Sequence, residues 1–217
     1  MVSKETSQES QESSVSESSE ASSDIVNKEQ LLEMYNDFIE YSSRVSEYDC
    51  KCRLPNFPEH ISEHMIRMIV NYYSSDSSAR EPSQSLLRRP LSGGDLVNEN
   101  NERIECKAIS SDGPITFGPT EEWSTLYILD VRTARFDDNI VLYKINLSHE
   151  EIGFVEISKN RTYKQYCKKS LRPRIKLEKL LDQLEYEDTI SGNPGNTYTI
   201  EYSGSFTEFL ESLDDDL

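Results

Sequence analysis

The chain has 217 residues, a formal net charge of -17 and 35% hydrophobic residues, which fits one folded domain with unfolded additions. No apolar run approaches the roughly 18 residues of a membrane span, and the N-terminus carries no apolar signal region, so a soluble intracellular protein is expected. Ten acidic and two basic residues fall in the first forty positions and six acidic residues in the last seventeen, leaving -3 for the 160 between. The acidic total therefore does not exclude a nucleic-acid partner. Cys50, Cys52, Cys106 and Cys167 are too few and too irregularly spaced for a disulfide framework, so reduced thiols are expected.

Residues 1–24 hold ten serines with scattered Glu and Gln, too little apolar surface to offset the entropy of ordering, and read as a disordered acidic tail. From Ile25, the residues Leu31, Leu32, Met34, Tyr35, Phe38, Ile39 and Tyr41 predict a first helix. A loop with Cys50, Cys52, Pro55 and Pro58 follows. A second helix is predicted from about Glu59 to Tyr73, with Ile61, Met65, Ile66, Met68, Ile69 and Val70 as its apolar stripe and Pro58 at its start. Residues 74–94 have no period and read as a loop, basic around Arg80, Arg88 and Arg89. Asp95 to Val97 and Arg103 to Ile109, across an Asn-rich turn, predict a hairpin. Leu126 to Val131 and Ile140 to Leu147 predict two more strands, turned at Asp137, Asp138 and Asn139. Residues 158–180 carry nine Lys or Arg against one Glu. A helix from about Leu177 to Leu184 and a Tyr-rich stretch at 197–202 complete an α/β domain over 25–205, a mixed sheet flanked by helices, before an acidic C-terminal tail at 206–217.

The hairpin carries the chemistry. Gly93-Gly94-Asp95-Leu96-Val97 leads through the turn to Ile104-Glu105-Cys106-Lys107-Ala108. Strand side chains alternate, so Glu105 and Lys107 point one way and Cys106 the other, and antiparallel pairing brings Asp95 beside them. Two carboxylates with a lysine suit a hard cation with an ammonium near the attacking water. The same three residues also suit an ordinary ion cluster on an exposed hairpin.

This arrangement resembles the PD-(D/E)xK nuclease superfamily, with Gly94 in place of the leading proline. The following text, Ser110-Ser111-Asp112-Gly113-Pro114-Ile115-Thr116-Phe117-Gly118-Pro119 to Trp123, is similar to a group of short type II restriction endonucleases. The Pro58 to Glu63 helix start and Arg172-Pro173-Arg174-Ile175 are similar to that group as well, so the resemblance covers roughly residues 55 to 185 and neither tail. It implies a restriction-endonuclease-like core and Mg2+-dependent hydrolysis of double-stranded DNA. Asp95, Glu105 and the main-chain carbonyl of Cys106 would hold magnesium, Lys107 would orient or deprotonate water, and Glu63 would support the site or a second metal. It also implies a homodimer on short, palindromic sites and functional pairing with a cognate DNA methyltransferase.

Beside that core, Ser110, Ser111, Asp112 and Thr116 are expected to face the substrate groove, since Gly and Pro fix the turns around them. Lys159, Arg161, Lys164, Lys168, Lys169, Arg172 and Arg174 are expected to form a DNA-facing wall, with Tyr163 and Tyr166 packed there. The acidic ends would compete with phosphate for that wall. Four other readings are open. His60-Ile61-Ser62-Glu63-His64 fits the H-x-x-E-H pattern of zinc metallopeptidases, and these histidines with Cys50 and Cys52 suggest a structural zinc site. A repair or junction-resolving nuclease would share the core. The acidic ends alone would suit a non-enzymatic interaction protein.

Overall fold

The computed structural model describes residues 27–48, 54–75, 87–88, 95–98, 100, 102–192 and 197–213. The expected disordered arm at 1–24, Cys50, Cys52, Arg80, Arg89 and the final residues 214–217 lie outside these.

Helix α1 runs Lys28–Glu47 from a capping box: the Asn27 side chain accepts from the Gln30 N–H at 2.8 Å, and the Gln30 side chain accepts from the Asn27 N–H at 3.2 Å. It buries Leu31, Tyr35 and Phe38, while Tyr41 faces solvent. Helix α2, Glu59–Ser75, starts directly after Pro58, whose carbonyl accepts the Ser62 N–H at 3.1 Å. Strand β1, Leu87–Arg88, lies inside the segment expected as loop. The hairpin forms as expected, from β2 (Leu96–Val97) and β3 (Arg103–Ile109). Then come β4 (Ile115–Thr116), β5 (Thr125–Asp130), the short α3 (Ala134–Asp137) and β6 (Asn139–Ile145).

The basic segment is built from several short elements. It comprises the hairpin β7 (Glu156–Ser158) and β8 (Arg161–Thr162), turned through Asn160 at φ 63°, then α4 (Tyr163–Lys168) and β9 (Arg174–Ile175). Helix α5, Leu177–Ser191, runs past the expected end to Gly192, which adopts the left-handed conformation at φ 71° that commonly stops a helix. Strand β10 is Tyr198–Ser205.

Six strands form the central sheet in the order β1-β2-β3-β5-β6-β10. The β3–β5 pair is parallel and its neighbours antiparallel, which makes the sheet mixed. Strand alternation gives it two apolar faces. Ile104, Cys106, Tyr127, Leu129 and Leu142 pack beneath α1 and α2, whereas Leu126, Ile128 and Ile145 pack with Trp123, Tyr163 and Leu180 on the other side. Tyr163, expected on the DNA wall, is therefore a core residue.

The last helix, α6 (Phe206–Ser212), occupies the expected tail. Phe206, Phe209, Leu210 and Leu213 fall on one helical face and are buried against α1 and α2, so the folded body extends to Leu213. The acidic residues between them mask this stripe in the composition. Asp138, left-handed at φ 59°, fastens the helix: its carboxylate accepts the Tyr35 hydroxyl at 2.6 Å, the Ser205 hydroxyl and the Thr207 N–H at 3.0 Å. Phe206→Ala should thus lower unfolding free energy in urea by about 3–5 kcal/mol. A loss below about 1 kcal/mol would show that α6 is not part of the cooperative fold.

Candidate active site

The β2–β3 ladder sets the site. Leu96 pairs with Ile104 and Val97 with Arg103, so Asp95, one residue before β2, falls alongside Glu105 and Cys106. The Asp95 Oδ2 accepts the Cys106 N–H at 2.5 Å. Two residues apart on β3, Glu105 and Lys107 share a face and form a close ion pair, while the Cys106 side chain is buried in the opposite layer. On α2, Glu59 and Glu63 stand one helical turn apart, and their carboxylates lie within 4.8 Å of one another and of Asp95. From the segment before β5, Glu121 reaches within 3.7 Å of the Lys107 ammonium.

The structure thus brings together the four expected residues Glu63, Asp95, Glu105 and Lys107, and adds two. Glu59 precedes Glu63 by one helical turn, a spacing visible in the sequence; Glu121 has no local signal. Among the described residues, the acidic group suited to hold a cation is Glu59, Glu63 and Asp95. Glu105 stands outside it, its carboxylate held by Lys107.

Burial shapes the proton affinities here. Glu105 is 7% exposed. Desolvation pushes its carboxyl up to about 7, with Lys107 pulling it down and Asp95 pushing it further up. Asp95 is also raised by burial, against the Cys106 N–H and Lys107. For Lys107, burial favours the neutral amine, but Glu105, Glu121 and Asp95 together outweigh it and raise its affinity for the proton. The lysine stays an ammonium.

The post-motif segment is tied in at several points. The Ser110 hydroxyl donates to the Pro55 carbonyl at 2.9 Å. Ser111 and Asp112 are exposed, with Asp112 3.4 Å from Arg132. Strands β4 and β9 pair Thr116 with Arg174, and the Phe117 N–H donates to the Pro173 carbonyl at 3.0 Å. The two stretches that carry the resemblance therefore lie side by side. Lys159, Arg161, Lys164, Lys168, Lys169, Arg172 and Arg174 are all exposed. The histidine pattern does not converge: His60 is exposed, whereas His64 is buried with its Nδ1 3.2 Å from Arg67. His149 lies elsewhere, against Trp123.

A family model described as Bsp6I restriction endonuclease matches residues 24–183. The chain belongs to the Bsp6I restriction endonuclease family. Its match takes in α2, the β2–β3 hairpin, Glu121 and the basic segment. The type II restriction enzyme Bsp6I from Bacillus sp. (strain RFL6) is 26% identical over 131 residues, which are 58% of this chain and 65% of that relative. The chain thus spans slightly less than two thirds of the length of this family member. No solved structure matches the chain.

The raised affinity of Glu105 has a signed consequence for stability. Its ordinary value is 4.5 and its folded value about 7, so the folded state keeps a proton that the unfolded chain releases. The associated stability is full below about pH 4.5 and is lost as pH rises through 7. Relative to wild type in metal-free buffer, Glu105→Gln should gain melting temperature between pH 5 and pH 8. A difference between the two proteins that does not change with pH would contradict the burial of this charge.

Proposed function

We propose that this protein is a type II site-specific deoxyribonuclease that hydrolyses phosphodiester bonds in short double-stranded DNA sites with Mg2+. The observation that carries the reading is the convergence of Asp95, from one strand, with the Glu105–Lys107 pair of the next, beside the acids of α2.

The donor chemistry fits magnesium. The converging side-chain ligands are carboxylates, the hard oxygen donors this ion takes, and they exceed the single ammonium in charge. Asp95 and the main-chain carbonyl of Cys106 would hold the ion, joined from α2 by Glu63 and Glu59 and by Glu105 once its carboxylate turns from Lys107 toward the cation. Magnesium bound there supplies charge neutralisation on the phosphate and lowers the pKa of water. The chain's own residues do the rest. Lys107, kept protonated by its acidic neighbours, donates a hydrogen bond that orients the attacking water and places positive charge beside the developing phosphorane. Burial of Glu105 removes competing solvent from that ammonium, which strengthens its interaction with the reacting group.

DNA would run from this site along the basic face. Arg174, paired with Thr116, adjoins the post-motif loop bearing Ser110, Ser111 and Asp112, and the exposed lysines and arginines of 159–172 extend the phosphate-binding surface. A homodimer would present two such sites to the two strands of a palindrome, and a cognate methyltransferase would protect the host sequence. Incubated with plasmid DNA and magnesium, wild type should give discrete fragments. Lys107→Ala and Asp95→Ala should each slow cleavage about 100-fold or more. Cutting at the wild-type rate by either variant would overturn the assignment.

A further inference from the structure

We propose that Glu121 is a positioning residue for Lys107, and that position 118 is glycine so that the Glu121 carboxylate can lie between that backbone and the lysine. The inference rests on the nuclease reading above and adds to it a residue outside the Asp-Glu-x-Lys motif.

Three observations converge. The Glu121 Oε2 lies 3.7 Å from the Lys107 Nζ, yet is withdrawn from water with no hydrogen-bond donor of its own. On its other side the same carboxylate fills the space where a side chain at 118 would begin: a Cβ there would sit 2.5 Å from Oε1 and 2.6 Å from Cδ of Glu121. The carboxylate thus lies between Gly118 and the Lys107 ammonium. Finally, the loop from 118 to 122 is anchored at both ends by Phe117 and Trp123, buried rings stacked at 5.7 Å, with Tyr163 edge-on to each at 5.6 and 6.1 Å. A segment held this rigidly presents its acid at a defined place.

An incompletely satisfied buried carboxylate oxygen opposes folding, so its place beside the motif lysine points to a role other than stability. The ammonium has three donors, and Glu105 engages it from one side. A second anion 3.7 Å away restricts the swing of the long lysine side chain and aims the N–H groups that Glu105 leaves free at the reaction space. Without it, Lys107 can follow Glu105 alone. Misplacement of such a group by about 1 Å costs on the order of 100-fold in rate.

The glycine supplies a second, independent handle. An alanine at 118 meets the far end of a flexible side chain, not the backbone, so Gly118→Ala should displace the Glu121 carboxylate while leaving the fold intact. Single-turnover cleavage of plasmid DNA in magnesium, DNA affinity in EDTA and melting temperature are measured for Glu121→Gln, Glu121→Ala, Gly118→Ala, the Gly118→Ala/Glu121→Ala double variant and, as control, the exposed neighbour Glu122→Gln. The expected result is a fall in cleavage rate of about 10- to 100-fold for Glu121→Gln and Gly118→Ala. DNA affinity should be unchanged, melting no lower, and Glu122→Gln should cut like wild type. In the double variant Gly118→Ala should add nothing to Glu121→Ala, because the group it displaces is gone. Wild-type cleavage by Glu121→Gln, additive losses in the double variant, or rate losses that merely track DNA affinity or melting would overturn the proposal. Lys107→Ala separates the two levels. If it is inactive while Glu121→Gln is fully active, only this inference fails; if it cuts normally, the assignment of the active site to Lys107 falls first, and this inference with it.

Discussion

A largely buried lysine ammonium held between carboxylates is the interaction on which the site depends. Glu105 is buried on a central strand, where an isolated charge would be strongly disfavoured, and Lys107 is the cation that makes it tolerable. The pairing is fixed by backbone geometry, because residues two apart on a strand must share a face. Asp95 cannot drift from them: its carboxylate accepts a main-chain N–H of the same strand. Even so, negative charge remains in excess, with Glu59, Glu63 and Glu121 facing the same region. That excess of carboxylates over ammonium is the ground for the Mg2+ site proposed above.

The two apolar layers hold β3 in place. Cys106 and Ile104 are gripped by α1 and α2, and the parallel partner β5 contributes side chains to both faces. Helix α2 is packed against the sheet through Met65, Ile66 and Ile69, which leaves its first turn, with Glu59 and Glu63, beside Asp95. On the other side, the β4–β9 ladder joins the loop after the motif to the basic segment. Strand β3 and the candidate DNA wall are thereby linked through the loop after β3 and one short ladder.

Much of this was legible in the sequence, for definable reasons. Asp95, Glu105 and Lys107 were readable because strand alternation and a short turn fix their relation locally, and the central strands stand out through their β-branched and aromatic residues. The rest depends on tertiary structure. Tyr163 lies among lysines in the sequence but turns inward at the start of α4 to meet Phe117 and Trp123. Helix α6 hides its buried Phe206, Phe209 and Leu210 among acids, so net charge concealed a helical stripe. Glu121 becomes notable only once the loop before β5 is folded back onto Lys107. His60 and His64 matched a metal-binding pattern, yet one is exposed and the other buried against Arg67, since a five-residue pattern does not fix which side of the helix meets the core.

If Asp95, Glu105 and Lys107 form the proposed nuclease site, the protein cuts DNA at a defined sequence. Sequencing the ends of DNA of known sequence after digestion by the wild-type protein in magnesium tests it most directly. Every end should fall at one short recurrent sequence with a constant offset between strands. Intact DNA, or ends scattered without a shared sequence, would contradict it.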